Sequence, residues 1–289
     1  MTYVIGIDIG GTFTDAFVAD ESGRVAAAKT PSTPPDFAHG FLQVVDDLAD
    51  SLGIPTRSLL EQTDYIVHGT TTTLNALVTG DVARVGFLTT AGHADSITIM
   101  NLEGRYAGLG ADKIQDMVRT NKPQPLVPPH LIHEIDERVD YKGTVVVRLD
   151  EAATRESVHA LLAEGVEAFA VSFLWSFLNP VHEQRAREII QEEAPGRYVA
   201  LSSDVSPRIR EFSRSVTTIM NTQVGPRLRA YLEPLEASLR DQGLRGSLLV
   251  MQGSGGCVTA EDAPARAITT IGSVLTGGVV GCTRLADEL

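Results

Sequence analysis

The sequence predicts an α/β protein, because short apolar strands alternate with amphipathic helical segments as far as about residue 200. The chain has 289 residues, which is enough for one large domain or two ordinary ones. Hydrophobic residues make up 43% of the chain and charged residues 21%, proportions that support packed cores and exclude disorder as the dominant state. We therefore expect one lobe followed by a smaller α/β segment.

The chain opens with three predicted strands that form an antiparallel meander. Residues 3–9 are β-rich and end at a glycine pair, residues 13–19 form the second run, and residues 25–29 return after a tight turn. A proline-rich link then leads to a helix over about residues 36–52. Apolar side chains recur there at helical spacing, and Gly53 can end the helix.

Strands and helices continue to alternate beyond this point. Asp150 is the expected N-cap of one helix and Gly165 its stop, and Asn179-Pro180 opens another. Residues 102–129 are rich in glycine and proline, which predicts a surface excursion with one short helix. Further strands are predicted at residues 65–68, 85–89, 144–149, 168–174 and 248–252. Further helices are predicted at residues 70–78, 151–163 and 208–242, with a short one after Gly277-Gly278.

Charge and cysteine content restrict the partners. Asp and Glu outnumber Lys and Arg by 37 to 24, and this acidity disfavours binding to a nucleic acid backbone through charge. Cys257 and Cys282 cannot form a disulfide framework, which favours a reducing compartment. The most apolar stretch, residues 168–178, has about half the length of a membrane span. The N-terminus lacks the basic region of a signal peptide, so we expect a cytoplasmic protein that binds neither nucleic acid nor membrane.

The strongest chemical signal lies between the first two predicted strands and combines two acids, two glycines and two threonines: Asp8-Ile9-Gly10-Gly11-Thr12-Phe13-Thr14-Asp15. The glycines carry no Cβ, so backbone N–H groups can approach phosphate oxygens. The threonines add hydroxyl donors, and the acids can hold a hydrated Mg²⁺. A plain glycine hairpin explains the glycines but not the other four residues at this spacing. The run therefore predicts a phosphate loop.

Other phosphate motifs are excluded, and weaker candidates remain open. The chain contains no Gly-Lys dipeptide, which excludes a P-loop, and a strand rather than a helix follows the glycines, which excludes a dinucleotide-binding turn. Residues 68–71 lie at a strand-to-helix junction that favours anions, although a threonine N-cap beside a packed histidine explains them equally well. Residues 253–256 follow a strand and can equally be a ligand loop or a plain loop.

Three further groups favour structural interpretations. His130 and His133 share a helical spacing but lack a third metal ligand. Cys257 beside a glycine is expected to be a buried structural thiol. An arginine series is expected to be a solvated helix face or a subunit contact: Arg208, Arg210 and Arg214.

The glycine run resembles the first phosphate motif of the actin, sugar-kinase and Hsp70 superfamily of ATPases. The wider chain resembles the N-terminal portion of the hydantoinase A/oxoprolinase family, which includes β-type subunits of acetone and acetophenone carboxylases. Five further segments, in family order, carry this resemblance: residues 68–71 (HGTT), 122–128 (KPQPLVP), 176–183 (SFLNPVHE), 205–211 (VSPRIRE) and 251–256 (MQGSGG).

The resemblance implies a fold and a set of site residues. The fold is an RNase H-like lobe of the actin-like ATPase type, with a phosphate-loop domain over residues 1–200 and the start of a hydantoinase A domain over residues 201–289. ATP and Mg²⁺ are the implied cofactors, with Asp8 and Asp15 as catalytic and metal-binding acids. The implied phosphate-binding residues are Gly10, Gly11, Thr12, Thr14, His68, Gly69, Thr70, Thr71, Gly277 and Gly278.

The resemblance also implies a reaction class, in which ATP activates a carbonyl compound by phosphorylating an amide or enolate oxygen. The favoured function is a subunit of an ATP-dependent ketone carboxylase. The first alternative is a subunit of an ATP-dependent cyclic amide hydrolase of the hydantoinase or 5-oxoprolinase type, and the second is a non-catalytic regulatory or assembly subunit. The implied partners are other subunits of such a complex and a small carbonyl or cyclic amide substrate.

Two features depart from the family pattern. Family members run longer and carry a second glycine loop after the region that ends here, and their Ser-Gly-Pro-x-Gly-Gly segment reads SVLTGG at residues 273–278. One loop holds phosphates from one side only. We therefore expect the 289-residue chain alone to bind ATP no tighter than ~1 mM and to need a partner subunit for turnover.

Overall fold

A computed structural model describes residues 2–34, 36–101, 106–116, 118 and 123–288. The strands are β1 (Tyr3–Ile9), β2 (Phe13–Asp20), β3 (Val25–Pro31), β4 (Thr63–Thr70), β5 (Val85–Thr90), β6 (Ile132–Ile135), β7 (Arg138–Val139), β8 (Val145–Val147), β9 (Ala168–Ser172), β10 (Tyr198–Leu201), β11 (Ser247–Met251) and β12 (Cys257–Thr259). The helices are α1 (Phe37–Leu52), α2 (Thr56–Glu61), α3 (Thr72–Thr79), α4 (Ser96–Ile99), α5 (Ala111–Gln115), α6 (Glu151–Ala163), α7 (Val181–Glu193), α8 (Ser202–Val205), α9 (Glu211–Asp241) and α10 (Ser273–Glu288). Short 3₁₀ helices span Pro129–Leu131 and Ala263–Thr270.

The elements form two compact units. The first comprises Met1–Val82 and Val224–Leu289, and the second comprises Ala83–Gln223. The division predicted at residue 200 is one between regions of the sequence. The compact units instead follow the sheets, because β11 joins the sheet of β1, and residues 83–223 form a separate sheet.

Six strands form the sheet of the first unit, in the order β12-β11-β4-β1-β2-β3. The pairs β1–β2 and β2–β3 are antiparallel, which confirms the predicted meander. On the other side of β1, strand β4 runs parallel to it, and β11 runs parallel to β4. This mixed sheet confirms the α/β class and has the RNase H-like arrangement that the resemblance implies.

The two faces of this sheet differ. Alternate residues of β1 are buried in the core that the sheet forms with helix α1 and with the part of α9 beyond Val224. The intervening residues Gly6 and Asp8 lie on the opposite face. Helix α1 ends at Gly53 as predicted, with a φ of 72° at that glycine, and the carboxylate of Asp36 caps its beginning by accepting the N–H of Ala38 at 3.2 Å.

The second unit contains an all-parallel sheet in the order β10-β9-β5-β6. Strands β5 and β9 are buried along their whole length, as is typical of strands covered on both faces. The predicted N-cap of α6 is confirmed, because the Asp150 carboxylate accepts the N–H of Ala153 at 2.9 Å.

A buried acid organises the ends of several elements in this unit. Oε1 of Glu183 accepts the N–H of Phe173 at 2.9 Å and the hydroxyl of Ser202 at 2.6 Å, and Oε2 accepts the N–H of Ser203 at 2.9 Å. The preceding residue, His182, lies 2.8 Å from Oε2 of the buried Glu137. The family-like segment at residues 176–183 therefore contributes a structural network.

Several predictions need correction. The pair Gly277-Gly278 lies inside α10, because that helix already begins at Ser273. The helix expected to open at Asn179-Pro180 begins at Val181, whose N–H is accepted by Oδ1 of Asn179 at 3.2 Å. Four short strands were not predicted, because their apolar runs are brief: β6, β7, β10 and β12.

Two predictions fall partly outside the described residues: the excursion at residues 102–129, whose described part contains the expected short helix as α5, and the segment 122–128, of which Lys122 is not described. Within the described residues, no single helix is long and apolar enough to cross a membrane. The pair Ala263–Thr270 and Ser273–Thr283, bent by 70°, reaches that length and composition when joined.

Candidate functional site

The glycine loop between β1 and β2 is held in place from two sides. The N–H of Gly10 donates to the carbonyl of Phe13 at 3.0 Å, which closes the turn. Ser32 holds the other side, because its N–H donates to the carbonyl of Thr12 at 2.9 Å and its hydroxyl to the carbonyl of Gly10 at 2.8 Å. Gly11 and Thr12 are exposed, and their N–H groups have no acceptor in the described part of the chain. The loop therefore presents free amides on a fixed backbone, as phosphate binding requires.

Asp8 and Asp15 face each other across the antiparallel pair β1–β2. Both line a cavity of about 640 Å³ that lies over the sheet face opposite the core, and we call it the sheet-face cavity. Glycines and apolar side chains form the rest of its lining, together with one lysine, Lys29. The two acids that the sequence predicted to act together are thus adjacent.

The carboxylate of Asp8 has an oxygen atom without a hydrogen-bond partner among the described residues. Its Oδ1 is buried and has no hydrogen-bond partner in the part of the chain that the structure describes. Burial raises the pKa of Asp8 above its ordinary value, and the charge of Asp15 raises this pKa further. A divalent cation at these two carboxylates would offset both effects, so the residues present fit Mg²⁺. No three carboxylate, histidine or cysteine side chains gather as metal ligands within the described residues, so water or phosphate would complete the coordination.

Gly69 gives the Asp8 carboxylate its space. Gly69 lies directly beside Asp8 in the parallel pair β1–β4. A Cβ at Gly69 would lie 3.2 Å from Oδ1 of Asp8, which is closer than an ordinary van der Waals contact. The absence of a Cβ at Gly69 therefore leaves the space that the Asp8 carboxylate occupies.

Lys29 on β3 lies next to Asp15 on the side away from Asp8, and it was not predicted as a site residue from the sequence. Asp15 and Lys29 are neighbours in the pair β2–β3, and Nζ lies 2.7 Å from Oδ1 of Asp15. The ammonium group also lies 4.7 Å from the centroid of the Phe13 ring. Counting outward from the turn at residues 21–24 along the two predicted strands would have placed Lys29 opposite Asp15.

Helix α10 forms part of the cavity wall. Gly277 and Gly278 line the cavity, as the predicted site requires. The beginning of the helix is anchored to β4 and to the loop after β11, because the Ser273 hydroxyl donates to the carbonyl of Thr70 at 3.3 Å and the Thr276 hydroxyl to the carbonyl of Gly253 at 2.7 Å. The structure thus brings together Asp8, Asp15, Gly69, Gly277 and Gly278.

Two side chains of the predicted site lie in the core instead. Thr14 is fully buried on the other face of β2, with its hydroxyl 3.1 Å from that of Ser32. His68 is fully buried between the sheet and its helices, with Nε2 2.9 Å from the hydroxyl of Tyr231. Burial lowers the pKa of His68 to about 4, so the ring is neutral near pH 7. The structure therefore does not bring these two side chains to the cavity.

Thr70 and Thr71 have partners within the protein. The hydroxyls of Thr70 and Thr72 lie 2.8 Å apart, and the Thr71 hydroxyl donates to the carbonyl of Ile9 at 3.4 Å. Thr72 begins α3 and lines a second cavity of about 740 Å³, together with Gly11 of the glycine loop and Arg227. The junction at residues 68–71 therefore lies beside the strand that leads into the glycine loop, and the hydroxyls of Thr70 and Thr71 are hydrogen-bonded within the protein.

The sequence of the chain matches known families along most of its length. Residues 4–194 match the hydantoinase/oxoprolinase N-terminal region, and residues 214–289 match the hydantoinase/oxoprolinase family. The chain belongs to the hydantoinase/oxoprolinase family. It is 36% identical to the acetophenone carboxylase gamma subunit of Aromatoleum aromaticum over 99% of this chain and 39% of that subunit. It is 35% identical to the caprolactamase subunit alpha of Pseudomonas jessenii over 94% of this chain and 38% of that subunit.

Solved structures of the family agree with the fold. Nucleotide-free acetone carboxylase, described in a study of ATP-dependent acetone carboxylation, has a TM-score of 0.90 and 29% identity over 99% of this chain and 40% of that chain. The ATP-dependent caprolactamase of Pseudomonas jessenii has a TM-score of 0.78 and 35% identity over 89% of this chain and 36% of that chain. This family member is thus homologous to subunits of ATP-dependent carboxylases and cyclic amide hydrolases, and it spans about two fifths of their length.

Three further candidates of this family member lie outside the acid pair and the glycine loop. The loop at residues 253–256 connects β11 to β12, and the N–H of Gly253 donates to the carbonyl of Thr269 at 2.6 Å. Cys257 is exposed rather than buried, and partial desolvation raises the pKa of its thiol, so the thiolate is not favoured. Arg214 is buried rather than solvated, and its Nη2 donates to the carbonyl of Phe173 at 2.6 Å.

Proposed function

We propose that this chain is a subunit of an ATP-dependent ketone carboxylase and contributes the phosphate and Mg²⁺ end of the site that activates the carbonyl substrate. One observation carries the proposal: the buried, unpartnered carboxylate oxygen of Asp8 lies opposite Asp15, beside a loop with free amides. Similarity to the acetophenone carboxylase gamma subunit, at 36% identity over nearly the whole chain, supports the ketone class.

The negatively charged side chains and the backbone amides of the site would bind different parts of Mg-ATP. Asp8 and Asp15 would hold the divalent cation, partly through water, and Gly69 keeps the space that the Asp8 carboxylate occupies. The N–H groups of Gly11 and Thr12 would donate to phosphate oxygens. Mg-ATP, when bound, supplies the phosphoryl group that converts a carbonyl oxygen into an activated ester. The fixed amides, and the cation held by the two acids, would neutralise phosphate charge without rearrangement of the loop, which is how such sites lower a barrier.

Cyclic amide hydrolysis is the second candidate function. It is supported by 35% identity to the caprolactamase subunit alpha and by a TM-score of 0.78 to the ATP-dependent caprolactamase structure. Both candidate functions would use the same two acids, Asp8 and Asp15, and the same glycine loop. A ketone enolate and an amide present the same kind of oxygen to a phosphoryl group. The two functions therefore differ in the substrate and in the second reactant, which is bicarbonate or water.

The proposed setting is a cytoplasmic complex with other subunits. Two relatives, the acetophenone carboxylase gamma subunit and the acetone carboxylase beta subunit of Xanthobacter autotrophicus, are named as subunits, and the latter is 30% identical over 99% of this chain. Affinity purification from the native host would recover the partners together with this chain.

The test is a substrate-dependent ATPase assay on the purified complex. Phosphate release is measured with a ketone (acetone or acetophenone) and labelled bicarbonate, and separately with caprolactam or 5-oxoproline. Ketone-dependent phosphate release with acid-stable label in the product supports the carboxylase. Lactam-dependent release with ring opening and no label supports the hydrolase. ATP turnover that responds to neither class, in a complex that contains this chain, overturns the proposal.

A further inference from the structure

The sheet-face cavity holds a row of charges that crosses three strands. Asp8 on β1 is paired in register with Asp15 on β2, and Asp15 is paired with Lys29 on β3. Among the described residues that line this cavity, Lys29 carries the one positive charge. The row thus contains two carboxylates and one ammonium group, and the ammonium group contacts the outer carboxylate alone.

The ion pair at the outer end of the row is easily exchanged. The side chains of Lys29 and Asp15 are 54% and 55% exposed, and their separation is 2.7 Å. Ion pairs with this exposure contribute little net stability, because water screens them. A divalent cation shared by Asp8 and Asp15 attracts the Asp15 carboxylate more strongly than one ammonium group does, since its charge is twice as large.

A released ammonium group would remain close to the glycine loop. Nζ of Lys29 lies 4.7 Å from the centroid of Phe13, and Phe13 directly follows the loop. The carbonyl of the same Phe13 closes the loop by accepting the N–H of Gly10. Lys29 therefore lies beside the residue that closes the glycine loop, on the cavity face of the sheet.

We propose that Lys29 exchanges partners when the site is loaded: it neutralises Asp15 in the absence of a divalent cation and contacts phosphate oxygens once the cation has taken Asp15. The inference rests on the proposed function, because it requires a divalent cation at the two acids. It predicts that Lys29 competes with the divalent cation for Asp15 and strengthens the binding of phosphate. Removing its charge must therefore raise the affinity for the cation and lower the affinity for Mg-ATP.

The experiment compares Lys29→Met with the unmodified chain. Mn²⁺ alone is titrated and followed by its electron paramagnetic resonance signal, and Mg-ATP is titrated by calorimetry into the millimolar range. We expect Lys29→Met to bind Mn²⁺ about fivefold more tightly and Mg-ATP about fivefold more weakly. Lys29→Arg keeps the charge, so both affinities should stay within about twofold of those of the unmodified chain.

A matched control comes from the second unit. Lys142 also lies over an aromatic ring, with Nζ 5.4 Å from the centroid of Tyr141, but it is outside the cavity. Lys142→Met should leave both affinities unchanged, and circular dichroism checks that each variant is folded.

The outcomes separate this inference from the proposed function. An unmodified chain that binds no Mn²⁺ overturns both, because the acid row then holds no cation. An unmodified chain that binds Mn²⁺ and Mg-ATP, with a Lys29→Met variant whose affinities are unchanged or fall together, overturns the exchange alone. Opposite shifts in Lys29→Met that Lys29→Arg does not reproduce support the exchange.

Discussion

His68 and Tyr231 form a 2.9 Å hydrogen bond between Nε2 and the phenol inside the core of the first unit. The other ring nitrogen, Nδ1, lies 3.4 Å from the carbonyl of Ile7. A carbonyl oxygen only accepts, so Nδ1 carries the proton of the neutral ring and Nε2 accepts from the phenol. Burial raises the pKa of Tyr231 far above its usual range, so the phenol stays protonated. The histidine that begins the family-like HGTT segment thus links β4 to α9.

This arrangement predicts that acid weakens the fold. The ordinary pKa of histidine is 6.5, and burial lowers that of His68 to about 4. As the pH falls from 6.5 to 4, the unfolded chain binds a proton that the folded chain does not, so up to about 3 kcal/mol of stability is lost. Urea unfolding of the unmodified chain and of His68→Gln at several pH values measures this. The stability difference between them should shrink as the pH falls, whereas the exposed His39→Gln should show no such trend.

The substitution Asp8→Asn should lower activity without lowering the stability of the fold. The substitution removes the charge of a half-buried carboxylate whose Oδ1 is unpartnered and which lies opposite Asp15, so the free energy of unfolding should stay equal or rise by about 1 kcal/mol. If the proposed function holds, ATP turnover by the complex should fall at least about 100-fold, because the proposed cation site would lose one of its two carboxylates. Asp50→Asn, an exposed acid of α1, is the control for both measurements. Normal turnover by Asp8→Asn would remove Asp8 from the metal site.

Two glycines of the same cavity should respond differently to a methyl group. In Gly69→Ala the new Cβ would lie 3.2 Å from Oδ1 of Asp8, whereas a Cβ at Gly6 meets nothing within 4 Å. We expect Gly69→Ala to weaken Mn²⁺ binding by about tenfold, which corresponds to about 1.4 kcal/mol, and Gly6→Ala to leave it unchanged. Equal effects of the two substitutions would show that the space beside Asp8 is not what matters.

Substitutions of the two threonines in the glycine run should have different effects on stability and on Mg-ATP affinity. Thr14→Val removes the buried hydroxyl that contacts Ser32, so it should cost about 1 kcal/mol of stability and leave Mg-ATP affinity unchanged. Thr12 is exposed in the loop, so Thr12→Val should change stability by less than about 0.5 kcal/mol and weaken Mg-ATP binding. Chemical denaturation and calorimetry check the two halves. Weakened Mg-ATP binding in a fully stable Thr14→Val variant would contradict this division.

The buried acid of the second unit should be structurally essential. The Glu183 carboxylate accepts three hydrogen bonds, and an amide at this position would turn a donor toward at least one of those donors. We expect Glu183→Gln to cost about 2–4 kcal/mol of stability. Glu188→Gln on the same helix, where the acid is 61% exposed, should change stability by less than about 0.5 kcal/mol. Thermal unfolding followed by circular dichroism distinguishes them.

Local signals predicted the beginning of the chain well. The bounds of β1 agree with the prediction, and β2 and β3 differ by one or two residues, because strand alternation and turn residues act over a few positions. The caps at Asp36 and Asp150 were also predictable, since each carboxylate bonds to an N–H two or three residues later. Strand β12 and the full extent of α10 were not, because their short or glycine-containing runs carry no clear periodicity.

The sequence by itself determined the meander, the glycine loop, the presence of two acids near it and the membership of the family, because these depend on residue types at short spacing. Tertiary structure alone decided which face of the sheet is covered by α1 and α9. That choice buries Thr14 and His68 and leaves Asp8, Asp15 and Lys29 on the cavity face. It also set the register of β4 against β1, which puts Gly69 beside Asp8. Both decisions follow from burying apolar surface contributed by distant segments, and no local pattern contains that information.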